Sequence, residues 1–513
     1  MAEPTRTADA DAGGVVIVGA GPVGLLLAAE LRLGGAEVVV LEQRRTPTTE
    51  SRASTLHART MEILDSRGLL DRFGAPPNEP RGHFGGIPLD LTLPSRYPGQ
   101  WKVPQDLTEA VLQEWAGSLG ADIRRGHTVL AVESGADQVE VTAGTDRAEV
   151  RLRARYLVAC DGEQSTVRDL LGADFPGEDA GRELLRADVA GISIPNRRFE
   201  RLERGLAIAA RRGDGVTRVM VHEFDSPPPV PGRETEFGAV VDAWKRVTGE
   251  DISGGTPLWA NSFGDANRQL SSYRHGRVLF AGDAAHRQLP VGGQALNLGL
   301  QDAFNLGWKL ALHLRAQTAA TDALLDSYHT ERHAVGSRVL SNIKAQALLL
   351  LGGQDVEAVR TVFGELIDLE DARRHLAGMI SGLDIRYDLG AEAHPLLGRR
   401  LPHLALAVGE PAAATSSTEL LRTGRGVLVE LTGDPDRRAR LREAADAWTG
   451  RVDLVTATPV AEPGPEGPTL DELSDVGALL VRPDGHVAWV GSAGGSAQPQ
   501  AALRRWFGEP AVR

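Results

Sequence analysis

Apolar positions near the start of the chain fall into three blocks of different period. The run VVIV at 15–18 is short and β-branched, the pattern of a strand buried on both faces. Residues 25–33 are strong helix formers stopped by Gly34-Gly35. Residues 38–41 repeat the buried-strand pattern. An apolar face at Leu56, Met61, Ile63 and Leu64 predicts a helix capped by Ser54 and stopping near Gly68 or Gly74. Residues 76–104, rich in Gly, Pro and aromatics, predict irregular sheet. A helix follows, with Asp106 as N-cap, Glu109 at N3, and a stripe at Leu107, Val111, Leu112 and Trp115. Residues 122–150 alternate as a β-meander, and 155–160 read as a buried strand ending at Asp161-Gly162. Residues 182–262 mix strand-like pieces with proline-rich loops around one helix at 237–247. A further buried strand at 277–281 precedes Gly282-Asp283. Long helical patterns cover 300–314 and 328–351, and the stretch from 390 to about 424 reads as loops. The last stretch alternates strands at 426–431, 452–455, 478–481 and 486–490 with helices at 437–448 and 499–507. Arg482-Pro483-Asp484-Gly485 reads as a turn between two of these strands.

These patterns predict an α/β fold. Residues 1–75, 105–180 and 265–390 form a discontinuous Rossmann-type domain, 76–104 and 181–264 a mainly β substrate domain, and 391–513 a small α/β third domain. A length of 513 residues accommodates this division. A net charge of -13 disfavours nucleic acid and anionic membrane surfaces as partners. The single cysteine, Cys160, rules out an intrachain disulfide or a cysteine-built metal site, and suits a reducing, cytoplasmic setting. No metal site is expected. The polar residues before Val15 are expected to fray; they hold no apolar signal core, and the 15–18 run is too short to span a bilayer. A monomer or weak homodimer is expected.

Candidate chemistry lies at the strand ends. Gly19-Ala20-Gly21-Pro22-Val23-Gly24 joins the first strand to the first helix. Gly19 suits a tight turn, Gly21 close approach to a pyrophosphate, and Gly24 close strand–helix packing. The helix N-terminus offers N–H groups and a positive dipole end to phosphate. Glu42, ending the second strand, can accept both ribose hydroxyls of an adenosine and repel a 2′-phosphate. In the loop that follows, Arg44 and Arg45 read as phosphate ligands or as merely solvated cations, with Arg45 the preferred phosphate candidate. This fingerprint marks a dinucleotide site without choosing between NAD and FAD. A second motif runs from Cys160-Asp161-Gly162 to Arg168. A third is Gly282-Asp283-Ala284-Ala285-His286, followed by Pro290-Val291-Gly292-Gly293-Gln294-Ala295-Leu296-Asn297. Each begins where a buried strand ends, the place where open α/β sheets bind ligands.

In this order the three motifs resemble the class A flavoprotein aromatic hydroxylases. His83-Phe84-Gly85-Gly86, Thr330-Glu331-Arg332-His333 and the segment from Arg482 to Trp489 look like the hydroxylases of aromatic polyketides, above all those of angucyclines and anthracyclines. The resemblance implies an FAD-binding domain of the glutathione reductase-like type and a C-terminal thioredoxin-like domain, here without cysteine and so without thiol chemistry. It implies FAD contacts from Gly19, Gly21, Pro22, Gly24, Glu42, Gln43 and Arg45 around the adenosine half, with Arg52 and Gln105 near the flavin and its linker. Asp161 sits in a motif that the family uses for FAD and NADPH, and Asp283 would hold the ribityl chain. Pro290, Gly292, Gly293, Gln294, Ala295 and Asn297 would run along the isoalloxazine. Arg287, Gln288, Leu289 and Phe84 are candidates for the substrate pocket.

The implied reaction uses NADPH or NADH to reduce FAD and O2 to form a flavin C4a-hydroperoxide, whose distal oxygen passes to an electron-rich ring of an aromatic polyketide in antibiotic biosynthesis. Baeyer–Villiger insertion by the same peroxide is one alternative, and a non-catalytic flavin- or polyketide-binding homologue is another. The chain departs from the family pattern at Arg287 and Gln288, where apolar residues or histidine are usual, and at Ala295, where glycine is usual. The extra methyl of Ala295 predicts weaker flavin retention. No general base is assigned. His286 reads as structural, His83, His222 and His333 as surface or packing residues, Trp101, Trp244 and Trp259 as core, and Cys160 as an inert thiol.

Overall fold

The three leading blocks become strand Ala8–Val18, helix Pro22–Leu33 and strand Val38–Glu42 in the computed structural model, which describes residues 8–47, 54–230, 234–316, 319–390, 394–409, 413–460, 473–495 and 498–511. The main sheet runs in the order Arg274–His275, Val278–Phe280, Glu149–Ala159, Ala8–Val18, Val38–Glu42, Asp122–Arg125. All neighbours are parallel except the first pair. Val15, Val16, Ile17, Leu157, Val158 and Val40 have no solvent exposure, as the β-branched runs require. Helices Pro22–Leu33, Gln105–Ser118 and Gln294–Ala316 share one core with this sheet and with the meander of Thr128–Ser134 and Val139–Gly144. Among the described residues no helix is long and apolar enough to cross a membrane.

The structure corrects several local expectations. Residues from Ala8 onward are not frayed. They pair in register with Val150 to Arg153, because ladder hydrogen bonds come from the main chain and tolerate polar side chains. Ser54 does not cap the next helix. Ala58–Asp65 starts from His57, which is drawn into a short ladder with Gln100. Helix Gln105–Ser118 starts directly after Pro104, and no side chain caps it; Gln105 Nε2 instead donates to Glu109 at 2.9 Å. The stretch read as loops holds a hairpin, Ala405–Val408 with Ala413–Ser416. Helices Glu357–Ile367 and Glu370–Ser381, absent from the pattern reading, pack on the hairpin Arg81–Phe84/Ile87–Asp90.

A five-stranded antiparallel sheet orders Arg197–Leu202, Gly205–Arg211, Val216–Glu223, Glu183–Ala190 and Thr256–Gly264. Its period-two alternation puts Ala187, Val189, Ala207, Val219 and Val221 under helix Phe237–Thr248 and leaves Leu184, Arg186, Ile208, Met220 and Phe263 on the other face. The last region has parallel Gly426–Glu430 and Val452–Pro459 joined through Pro435–Ala445, then the antiparallel hairpin Val476–Val481/Val487–Ser492, then helix Gln500–Phe507. That is a thioredoxin-like order.

The turn at Arg482 is not a surface feature. Arg482 is fully buried and donates to Glu331 at 2.6 and 2.9 Å and to Asp484. Lys309 adds a third cationic contact to Glu331 at 2.8 Å. Arg59 and Arg67 donate to the carbonyls of Asp484 and Pro483, and Arg67 also pairs with Glu30 of the first helix. The turn is thus a polar latch between the C-terminal region and the nucleotide fold. Burial pushes the Glu331 carboxyl up, but Arg482 and Lys309 outweigh it and hold it at about 2. Burial lowers His486 to about 4 against the opposing pull of Asp484. In both cases the unfolded chain binds more protons, so stability falls as pH drops from about 6.5 towards 4 through His486, and from about 4.5 towards 2 through Glu331. Glu331→Gln is expected to cost about 3–5 kcal/mol, since it takes the carboxylate from buried Lys309 and leaves Arg482 with Asp484 alone, and to flatten the lower step. Denaturant midpoints measured across this pH range check both.

Candidate functional site

Main-chain hydrogen bonds gather the three motifs at one edge of the parallel sheet. Gly19 N–H donates to Leu41 O, Cys160 N–H to Val18 O, and Ala281 N–H to Ala159 O, at 2.8, 2.8 and 3.0 Å. Gly19 has φ +104°, and a Cβ there would lie 2.3 Å from Cys160 O; a Cβ on Gly24 would lie 2.0 Å from Gly19 O. Both glycines are therefore required by close approach. A Cβ on Gly21 would meet nothing within 4 Å, so the open ground above the helix N-terminus lies where a phosphate would sit. Glu42 accepts from Ala20 N–H at 2.9 Å and from Arg44 N–H at 2.8 Å. These bonds fix the carboxylate and leave lone pairs for ribose hydroxyls.

The second and third motifs touch directly. Arg168 donates to Ala284 O and Glu163 O, and Arg287 pairs with Glu163 at 3.3 Å. Asp161 accepts from Val167 N–H at 3.0 Å, and Asp283 is exposed on the turn Gly282–Ala284. That turn is held from below. The buried Asp302 carboxylate accepts from Gly282 N–H at 3.1 Å, His286 Nε2 at 2.8 Å and Arg332 Nε at 2.7 Å. Burial pushes Asp302 up, but Arg332 and His286 hold it below the ordinary carboxylate range. Burial, then Asp161 and Asp302, push the Cys160 thiol well up, so it is not a nucleophile at neutral pH.

The Gly292-Gly293 loop, with φ +65° and +69°, is organised by Asn297. Its amide donates to Thr55 O at 3.0 Å and Gly293 O at 2.7 Å, and accepts from His57 N–H at 2.9 Å and Thr60 Oγ1 at 2.6 Å. These four bonds use both its donors and both its lone pairs, so the Asn297 side chain positions the loop. His57 Nε2 donates to Gly292 O at 2.8 Å, and burial lowers its pKa to about 4, which keeps the ring neutral.

In front of this loop lies a cavity of about 710 Å³. Pro290, Val291, Gly292, Gly293, Ala295 and Leu296 form one wall; Leu184, Arg186, Ile208, Met220 and Phe263 of the antiparallel sheet form the other. Five cations, Lys102, Arg186, Arg197, Arg198 and Arg211, face it with one carboxylate, Glu79. Lys102 Nζ lies 3.3 Å from Glu79 and 3.4 Å from Thr55 Oγ1. His83 Nδ1 accepts from Gly86 N–H at 3.2 Å. Burial, then the charges of Arg198 and Lys102, lower its pKa to about 4, so the neutral ring keeps its proton on Nε2. Phe199 reaches His83, ring centres 4.0 Å apart, from an irregularity of its strand where φ is +49°, the local strain common at ligand sites.

Of the residues expected at the site, Leu289, Pro290, Gly292, Gly293 and Ala295 line this cavity. Phe84 is buried against Phe363 in a separate small core, with ring centres 5.2 Å apart. The Gln288 amide is buried without a partner. Gln43 is exposed, and Arg45 is salt-bridged to Asp146 at the surface. Arg52 lies outside the described residues. Trp244 is core beneath the sheet, and Trp259 lies under Arg186 and Arg218. Sequence reasoning did not single out His57, Lys102, Arg186, Asp302 or the part played by Arg332, and it read His83 as a surface or packing residue. His83 carried a signal in the Gly85-Gly86 turn beside it.

Strand ends that meet at a glycine fingerprint, a GD turn and a glycine loop facing a cavity fit a dinucleotide-dependent oxidoreductase. Comparison with known proteins agrees. The model of the FAD binding domain matches residues 13–343, and that of the aromatic-ring hydroxylase C-terminal region matches 394–510. The chain is 42% identical to the 12-dehydrotetracycline 5-monooxygenase/anhydrotetracycline 6-monooxygenase of Streptomyces rimosus, over 97% of this chain and 99% of that one. It matches the crystal structure of CabE, an aromatic hydroxylase from angucycline biosynthesis, with TM-score 0.90 and 48% identity over 97% of this chain and 99% of that one. A dialkyldecalin synthase of Streptomyces rugosporus is 37% identical over 97% of this chain and 99% of its own. The chain belongs to the FAD-dependent aromatic-ring hydroxylases. It is a flavoprotein monooxygenase.

Two substitutions test the loop. Asn297→Ala leaves the buried His57 N–H and Thr60 hydroxyl and two half-buried carbonyls without this partner, and is expected to weaken FAD binding roughly tenfold to a hundredfold. Ala295→Gly removes the methyl that faces the cavity and is expected to tighten it, by up to about tenfold. Fluorescence titration of the apoprotein with FAD measures both.

Proposed function

We propose that this monooxygenase hydroxylates a polycyclic aromatic polyketide on a phenolic ring, in the cavity between the Gly292-Gly293 loop and the antiparallel sheet. The observation that carries the reading is the chemistry of that cavity: apolar walls from Leu184, Ile208, Met220 and Phe263, a size suited to several fused rings, and an excess of cations near the loop. Monooxygenases that act on tetracycline and angucycline frameworks among the relatives support the substrate class.

FAD, reduced by NADPH or NADH, would supply the activated oxygen. We assign its adenosine ribose to Glu42, its pyrophosphate to the backbone at Gly21 and Pro22, its ribityl chain to Asp283 and its ring system to Pro290, Gly292, Gly293 and Ala295. The chain's own residues set up the substrate. Lys102 and the Nε2–H of His83 are donors, and they stabilise the phenolate over the phenol, which makes the ring carbon more nucleophilic. Glu79, 3.3 Å from the Lys102 ammonium, is placed to take the proton. His83 acts as a donor and not as a base, because its Nδ1 lone pair is committed to Gly86. The apolar walls keep water from the reacting carbon.

With FAD bound, a hydroxylated angular tetracyclic quinone is expected to stimulate NADPH oxidation and to leave with one added oxygen as a new phenol. A lactone by NMR would instead mean ring insertion, and a product without added oxygen a synthase. Lys102→Met is expected to raise the pKa of the bound phenol by about one unit and to lower kcat/KM about tenfold. The phenolate absorbance of the bound substrate against pH reads this; an unchanged curve removes Lys102 from the role.

A further inference from the structure

Helix Gln294–Ala316 starts at the flavin loop and has a second hollow behind it. This cavity, of about 430 Å³, lies between that helix, helix Ala319–Leu351 and residues 379–388. Its size falls within the range of about 300–1,000 Å³ usual for small-molecule sites. Leu298, Val335, Val339 and Ile385 give it an apolar lining. Ile380 lines both cavities, whereas Gln294 lines only the rear one.

Two side chains in its wall are unsatisfied. Gln294 is 3% exposed, and neither its Oε1 nor its Nε2 has a partner. Asn342 is 4% exposed; its Oδ1 accepts from Gln346 Nε2 at 2.9 Å, but its Nδ2 has no partner. An unpaired buried polar group costs about 1–3 kcal/mol, so groups left unpaired in one apolar wall mark a place where something else completes the bonding. The charged residues in its lining already have partners: Arg338 pairs with Asp384 at 2.5 Å and Glu331 with Arg482, Arg386 donates to the carbonyls of Leu397 and His394, and Asp388 accepts from Gly390 N–H.

We propose that the rear cavity is a second ligand site, for an uncharged fused-ring compound that carries a carbonyl beside a hydroxyl. The carbonyl accepts from Gln294 and Asn342, and the hydroxyl donates to Gln294 Oε1. This chemistry differs from that of the front cavity, where cations favour an anion. Gln294 follows Gly293 directly, so a ligand bound behind the helix touches the residue next to the flavin loop.

The test is equilibrium dialysis of the FAD-loaded enzyme against 1,8-dihydroxyanthraquinone, with Val335→Trp to fill the rear cavity and Ala210→Trp to fill the front one. The wild type is expected to bind one more probe per chain than Val335→Trp does. Asn342→Leu, which removes a donor and keeps the space, is expected to weaken the rear site about tenfold. Equal binding by wild type and Val335→Trp, zero included, overturns the proposal, as does a crystal structure of the soaked enzyme with only ordered water behind the helix. An effect of Ala210→Trp alone overturns it too and leaves the front cavity's proposed role intact.

Discussion

A buried carboxylate has to be surrounded by donors, and Asp302 imposes that constraint on the whole nucleotide fold. It has no solvent exposure, so desolvation would strand its charge without compensation. Its donors come from three places: the GD turn through Gly282, the segment after it through His286, and the long helix Ala319–Leu351 through Arg332. Arg332 reaches on to Tyr387 and to Leu298 O. The Gly282–Ala284 turn is therefore registered by charge to the helices that supply Asp302 and Arg332, where apolar packing alone would let it slide. Val23, at the start of the first helix, fits against the same turn: a Cβ on Gly282 would lie 3.1 Å from it and a Cβ on Gly299 2.8 Å. The fingerprint helix and the GD turn are thus fixed relative to each other with no ligand between them.

The neighbouring residue points the same device the other way. Glu331 holds Lys309 on helix Gln294–Ala316 and Arg482 on the C-terminal hairpin. Adjacent residues of one helix, Glu331 and Arg332, thus bind the C-terminal region on one side and, through Asp302, the Gly282–Ala284 turn on the other. Trp308, Tyr387 and Trp506 surround Arg482 with ring centres at 5.4, 5.1 and 4.5 Å, a cage suited to a weakly hydrated guanidinium. With no cysteine in this region, the contribution seen here is mechanical: it closes the back of the nucleotide fold.

What the sequence made legible follows the range of the forces involved. Parallel strands and their glycine turns are set by local sterics and continuous β-branched runs, so they stood out. Helix starts were misplaced because Pro104 fixes its own φ and outcompetes Asp106 as a start signal. The helices at 357–381 were missed because Val359, Val362, Leu366 and Leu369 remain exposed, which blurs any one-sided apolar period. Arg482-Pro483-Asp484-Gly485 has the composition of a solvated turn and is buried only because its partner, Glu331, stands 151 residues earlier. Asn297 falls inside a cofactor motif, yet its amide is spent on Thr55, His57, Thr60 and Gly293. A motif records which residues occur near a site; it does not record which of them face it.

Charge segregation carries the same lesson further. The chain has 13 more acidic than basic residues, yet five cations and one carboxylate line the front cavity. Arg197 and Arg186 are held by Glu250 and Asn261, and Lys102 by Glu79 and Thr55. These partners fix the cations in place, and Glu79, Glu200 and Glu250 offset part of their charge. The lining still holds more cations than carboxylates, an excess that an anionic ligand would offset. That excess would favour the ionised form of a phenol bound there, and the neutral His83 would add a directed donor without adding positive charge.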